Sequence, residues 1–485
     1  MEFLTEWPPP QDSEKVNTDD NKNDDKPPEK KRRKKTIGNV TSVSKLLASW
    51  WRSLPPESRH PDLDVQSNVP YARLVAISKR PKAREYLRSL CQGLQPTSPE
   101  AEEWQKHYTL ATVHMLQKED KLAFKAASYC LRLCQLRQLH DVDSISDRLA
   151  YVKGLSQTEL EIVRIATLAH LQLQASSRFE GKASSEKTRQ IIEVVHAKNW
   201  TRQAFFQTFI LAKRPVVIEG LQLTPTKWTL ESVKSLAGDK TIPLRYAKPD
   251  STAWARLEEC SSLGTKAKKV CLGEFIDNVK NGIETEAYLF DWSLPLFCPE
   301  LSSQFTVPEF FEAENYLKKK VESTLYHQSW PSLFISPPKV VSDLHIDAFG
   351  SNFYMALFEG RKRWTFFPPE VSERLKMRYY DNFDPVFDID WEKDRPLWQS
   401  LSPYNVTLEA GQVLFVPAGC PHRVENLEAT LAVSGNFVDN SNIKEAAEHL
   451  IRQALIEPRA AELVEEWIGL GLLPAEMPFE VVAHD

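Results

Sequence analysis

The sequence predicts an α+β protein in which a helical part precedes a β-rich part and helices return at the end. Three observations predict it. Between residues 39 and 180, apolar residues recur at three- and four-residue steps in SVSKLLASWWRSL, LAFKAASYCLRLCQLRQL and ELEIVRIATLAHLQLQA, the spacing of one helix face. Between residues 199 and 440 the texture changes to short β-branched or aromatic runs cut by Gly and Pro. Among them are RPVVIEG, TIPLRYA, EAYLFDW, SLFISP, NFYMALFEG, KRWTFFPP, GQVLFVPAG and LAVSGNFV, the pattern of an all-β sandwich or barrel. From residue 441 onward, IKEAAEHLIRQAL and AAELVEEWIGLGL return to helical spacing.

The totals agree with that reading. At 485 residues the chain is too long for one ordinary domain and has ample length for a core. Its 42% hydrophobic and 26% charged residues are ordinary for a soluble globular protein. A net charge of −5 weighs against nucleic-acid binding over the whole surface but leaves room for a local basic patch. No apolar run approaches the roughly 20 residues of a membrane span, and the acidic, Pro-rich start does not read as a signal peptide. Seven cysteines lack a CxxC pair, and Cys130 and Cys134, at i,i+4, read as packed thiols. Such usage suits a reduced, intracellular protein.

The elements follow in order. Residues 1–38 are rich in Pro, Asp, Asn and Lys, and read as a disordered tail. The tail holds six consecutive basic residues, Lys30 to Lys35. A nuclear-import signal, read by an import receptor, is favoured over a solvated charge block or a nucleic-acid-touching arm. The expected location is therefore the nucleus, with the cytoplasm as a second site. The helical domain, 39–180, reads as a scaffold or interaction module. Ser156 and Glu159 form a capping box there, Asp143 is a candidate helix cap, and His107, His114, His140 and His170 read as ordinary histidines. A Ser- and Lys-rich linker occupies 181–198. Within the β-rich part, QAFFQTFILA and TLESVKSLAG read as helices. In the C-terminal helices, 441–485, an apolar stripe of Leu450, Ala454, Leu455, Leu463 and Trp467 packs either on the β-core or on a second subunit, as a homodimer contact.

The chemistry concentrates in two blocks of the β-rich part. In SDLHIDAFGSN, His345 and Asp347 stand two apart in a run that reads as a strand, hence on one face. Further on, GQVLFVPAGCPHRVEN places a strand at Val413–Val416, a turn at Pro417, Gly419 and Pro421, and His422 at the start of the next strand. Two imidazoles and one carboxylate match the facial triad that leaves three positions of a non-haem Fe(II) ion open. Zinc would accept the same ligands. In RKRWTFF, alternation puts Lys362 on one face with Trp364 and Phe366. A buried ammonium needs a partner, and Glu359, three residues away, should face the other side. The carboxylate of a small ligand would serve; the alternative is a lysine reaching to the barrel rim. In TLAVSGNFV, Thr430, Ala432, Ser434 and Asn436 make a small polar face suited to a cavity wall, and Ser342 stands three residues before His345.

These blocks, LHIDAFGSNFYMALFEGRKRWTFFPP and LEAGQVLFVPAGCPHRVENLEATLAVSGNF, resemble the JmjC family of Fe(II)- and 2-oxoglutarate-dependent oxygenases over about residues 200–440. The resemblance implies a double-stranded β-helix of the cupin jelly-roll type. It implies that His345, Asp347 and His422 bind iron, and that Lys362 takes the distal carboxylate of 2-oxoglutarate, assisted by Ser342 and Tyr288. Ser434 and Asn436 would line the cosubstrate pocket. The small hydroxylases are nearest in look, namely the arginine demethylase and lysyl hydroxylase group and the asparaginyl hydroxylase of hypoxia-inducible factor. Met355 departs from that first group, which has an asparagine near the cosubstrate. The implied reaction consumes O2 and 2-oxoglutarate, yields succinate and CO2, and hydroxylates a protein side chain.

Other readings stay open on the residues alone. They are a histone lysine or arginine demethylase by the same chemistry, an RNA hydroxylase, and a non-catalytic metal-binding cupin scaffold. The expected partner is a protein or peptide substrate, nuclear or chromatin-associated, and no membrane. The stretch MRYYDNFDPVFDIDWEKDRPLW reads either as a surface loop or as a lid that sets substrate choice.

Overall fold

The computed structural model describes residues 103–179, 192–246, 269–312, 314–318, 326–379 and 383–476. The expected tail, the Lys30–Lys35 run and most of the linker lie outside them. The first six strands are β1 (Glu193–His196), β2 (Val216–Glu219), β3 (Thr241–Pro243), β4 (Lys269–Cys271), β5 (Leu289–Ser293) and β6 (Ser332–Ser336). Next come β7 (Val341–His345), β8 (Asn352–Glu359), β9 (Arg361–Phe366), β10 (Met377–Arg378) and β11 (Val386–Phe387). The last four are β12 (Tyr404–Glu409), β13 (Val413–Val416), β14 (His422–Asn426) and β15 (Thr430–Phe437).

Two sheets face each other. The larger runs β1-β2-β13-β8-β15-β6-β5 and the smaller β12-β9-β14-β7, while β3–β4 and β10–β11 are separate ribbons. Only β1 and β2 pair in parallel among the described strands. Central strands β8 and β15 are buried nearly end to end, so they read as apolar runs without alternation. Strand β9 alternates, because Arg361 and Arg363 look out while Lys362 and Trp364 look in. Between β8 and β9 the chain turns through Gly360 at φ +83°, where an added Cβ would lie 2.1 Å from the Ala429 carbonyl oxygen. Only glycine fits there.

The interior between the sheets holds Tyr288, Phe334, Met355, Trp364, Phe366, Leu414 and Ala432. The outer face of the larger sheet carries a second core with α5 (Leu230–Ala237) and α6 (Leu272–Lys280), which four long helices precede in the chain.

Those earlier helices are α1 (Glu103–Leu116), α2 (Asp120–Leu133), α3 (Ile145–Gly154) and α4 (Gln157–Phe179); α7 (Ile443–Gln453) and α8 (Arg459–Gly469) close the described chain. All six share one core with Tyr326, Trp330, Phe349 and Phe383. The stripe expected to meet a β-core or a second subunit, Leu450, Ala454, Leu455, Leu463 and Trp467, is at most 3% exposed inside this core. That corrects the expectation for the stripe, since the N-terminal helices of the same chain already cover it. The capping box holds, with the Ser156 backbone N–H donating to Glu159 at 2.7 Å. The expected cap at Asp143 is corrected by one residue: the Ser144 hydroxyl accepts from the Asp147 N–H and caps α3.

Candidate active site

The site is built at one end of the sheet interior by β7 and β14. Strand β14 pairs with β7 so that His422 faces His345 and Val424 faces Ser342. Cross-strand partners share a face, and so do His422 and Val424, two apart on one strand. Ser342 and His345 therefore look inward together although three residues separate them. A β-bulge absorbs the extra residue. Strand β7 ends at His345, so Asp347 is not on the strand as expected. It keeps extended backbone (φ −61°, ψ 146°) before the short turn Ala348–Gly350, and still returns to the same side.

The donor atoms of His345, Asp347 and His422 lie within 4.8 Å of one another, a metal-ligand grouping unique among the described residues. The two imidazole centroids are 4.2 Å apart. Each ring is held through its Nδ1, His345 on the Asp343 carbonyl at 2.6 Å and His422 on the Cys420 carbonyl at 3.0 Å. Nδ1 then carries the proton, and Nε2 keeps the lone pair a metal takes. Burial lowers both imidazoles to about 4, and for His345 the neighbouring His422 adds to the effect. They are neutral at physiological pH, as ligands must be. Burial raises Asp347 to about 7, against the opposing pull of His345. Three desolvated donors with no counter-charge among them fit a divalent cation, whose charge would return Asp347 to the carboxylate form.

Lys362 projects into the same interior from β9 and is fully buried. Its Nζ donates to the Tyr288 hydroxyl at 3.1 Å, and no acid pairs with it among the described residues. Burial alone lowers it to about 7. Glu359 accepts from the Leu230 N–H at 2.7 Å at the start of α5, on the other side of the sheet. Asn426 lies opposite Lys362 and hydrogen-bonds through its side chain to Tyr288. Thr430 donates to the Asn426 side-chain oxygen at 3.0 Å.

A family model described as a cupin-like domain matches residues 202–443. Among curated relatives, the arginine-specific demethylase JMJ22 of Arabidopsis thaliana is 31% identical over 188 residues, 37% of this chain and 36% of the relative. The 2-oxoglutarate and iron-dependent oxygenase JMJD4 of Gallus gallus is 29% identical over 172 residues, 34% and 40% respectively. The bifunctional arginine demethylase and lysyl-hydroxylase psr-1 of Caenorhabditis elegans is 25% identical over 294 residues, 58% and 68% respectively. Residues 202–443 thus form a cupin-like domain, of the type carried by JmjC oxygenases. The chain spans well under half of the first two of these relatives.

The JmjC-type domain thus brings together His345, Asp347, His422 and Ser342 at one end, and Lys362 with Tyr288 farther in. Ser434 is fully buried on the interior face of β15, and its hydroxyl has no hydrogen-bond partner among the described residues. Met355 lies opposite it on β8. Asn436 donates to the Ser351 hydroxyl at 2.7 Å, so one of its amide hydrogens is already engaged. Asn426 was legible but missed: His422, Val424 and Asn426 alternate on one strand, which places the amide on the ligand face.

The described residues of 377–398 are anchored to their surroundings and do not form a bare surface loop. Arg378 makes two 2.9 Å hydrogen bonds to buried Asp120 of α2, and the Tyr379 N–H donates to Gln172 of α4 at 2.8 Å. Farther on, Trp391 stacks on Trp398 at 4.2 Å, with the Arg423 guanidinium over its ring at 4.7 Å. Asp388 pairs with Lys118 and Asp390 with Lys393, so neither is a catalytic carboxylate.

Proposed function

We propose that this chain is an Fe(II)- and 2-oxoglutarate-dependent oxygenase that hydroxylates a polypeptide side chain. The observation that carries it is Lys362, a buried ammonium without an acid, opening onto the same interior as the His345, Asp347 and His422 grouping. A structural metal centre would have no use for it, because an unpaired buried charge destabilises the fold. His345 and His422 would offer their Nε2 atoms and Asp347 its carboxylate to the iron. Lys362, with the Tyr288 hydroxyl beside it, would receive the far carboxylate of the 2-oxo acid as a charge-assisted hydrogen bond. The Asn426 side chain steadies Tyr288, and Ser342 and Ser434 offer hydroxyls along the walls. Trp364, Phe366 and Leu414 keep that interior apolar and dry. Bound iron and 2-oxoglutarate supply the O2-dependent oxidative chemistry that inserts oxygen into a C–H bond and releases succinate and CO2.

Relatives named as an oxygenase, as arginine demethylases and as a lysyl-hydroxylase support this reading. Hydroxylation of an N-methyl group would release formaldehyde, so both outcomes follow from one site. Purified protein with Fe(II), ascorbate and 2-oxoglutarate should form succinate, and His345→Ala and Asp347→Ala should fall to background. Succinate at an undiminished rate in either variant would overturn the assignment.

A further inference from the structure

We propose that Asp291 is the residue that receives the substrate, pairing with a cationic side chain, ammonium or guanidinium, as it enters. This rests on the oxygenase reading and names what that site grips. Strand β5 pairs with β6 so that Leu289 faces Ile335 and Trp292 faces Leu333, with a β-bulge between them. All four belong to the outer core of the larger sheet. The two residues in between, Phe290 and Asp291, oppose a single residue, Phe334, which belongs to the interior. The bulge therefore turns both Phe290 and Asp291 toward the inner face, where strict alternation would have sent one of them out. The Phe290 and Phe334 rings indeed meet, with centroids 5.0 Å apart.

Asp291 adopts φ +54°, a conformation that costs a non-glycine residue and that is concentrated at functional sites. Its carboxylate lies close enough to Asp347 and Tyr288 to act on both electrostatically. It thus stands beside the metal grouping on the inner face, half-buried. Among the described residues its carboxylate makes no hydrogen bond and no ion pair. Arg245 lies over the neighbouring Phe290 ring at 5.2 Å and is engaged elsewhere. Arg423 lies 3.9 Å from both Asp343 and Glu425. A strained, inward-turned carboxylate without a cation suits a polypeptide side chain that carries one. A solvated aspartate whose bulge only ends a sheet edge would show no preference between charged and neutral side chains.

The probes are N-acetyl-lysine methylamide and N-acetyl-arginine methylamide, each against its uncharged counterpart, N-acetyl-norleucine methylamide or N-acetyl-citrulline methylamide. Binding to the full-length protein with Zn(II) and 2-oxoglutarate is read by saturation-transfer NMR. The charged member of at least one pair should bind about tenfold more tightly, roughly what one partly desolvated ion pair supplies. Asp291→Asn should bring that ratio to about one, and Asp291→Glu should restore part of it. Comparing two probes on one protein cancels any general loss of folding. Equal binding of charged and neutral probes by the unaltered protein, or a ratio unchanged in Asp291→Asn, would overturn the assignment of Asp291. Neither outcome touches succinate formation, which judges the oxygenase reading separately.

Discussion

At the scale of the residue, the proposed role of Lys362 would couple ligand binding to pH. In water a lysine keeps its proton to about 10.5; buried in the interior it gives it up near 7. Between those values the unfolded chain holds a proton that the folded chain lacks, so stability rises with pH across that window and burial costs most below it. The ligand has the opposite preference, since a carboxylate needs the charged ammonium. Calorimetric titration should therefore show 2-oxoglutarate binding tightest near or below pH 7 and weakening up to about tenfold per pH unit above it. Lys362→Met should bind weakly and show no such slope. A pH-independent affinity in the unaltered protein would exclude Lys362 as the anchor. This residue was legible because alternation along β9 needs only local sequence. The triad was legible for a similar reason, with two ligands two apart and the third just after a Pro- and Gly-marked turn. Ser342 was named from its place near His345, but the bulges that turn it and Asp291 inward were not legible, because a bulge is a property of the partner strand's register and leaves no mark in the strand that carries it.

At the scale of the element, the 377–398 stretch is tied to the helical block by Arg378 and Asp120, 258 residues apart and both largely buried. Removing one partner leaves a charge buried and alone, which costs about 3–5 kcal/mol. Chemical denaturation should therefore find Arg378→Met destabilised by about that amount, and Asp120→Leu combined with Arg378→Met should recover much of it. If the double variant is no better than the single, the pair is not the tie it looks to be. Sequence offered an acidic, aromatic stretch with two readings, loop or lid. It hid the anchoring, because nothing near Arg378 in the chain names a partner in α2.

At the scale of the whole molecule, α1–α4 and α7–α8 close one core around Trp330 and Phe349. The helical periods were readable, and so was the apolar stripe of the last two helices; what the stripe packs against was not, since apolar faces carry no address. A shared core should melt as a unit. Scanning calorimetry of the full chain is expected to show a single transition for helices and β-structure, with helical and near-ultraviolet dichroism lost together. Two resolved transitions would mean that the helical block is an independent appendage.

The turn that carries Asp347 continues directly into Phe349, whose ring stacks on Tyr326 at 4.5 Å, and into Gly350, whose carbonyl accepts from Asn442 at 2.8 Å beside α7. One ligand of the metal grouping thus leans on a helix made some hundred residues later. During synthesis on the ribosome, both histidines can leave the exit tunnel while the helix behind that carboxylate is still inside it. A nascent chain would be slow to hold a metal until α7 emerges, so the centre is completed by a helix outside the strands that carry its histidines.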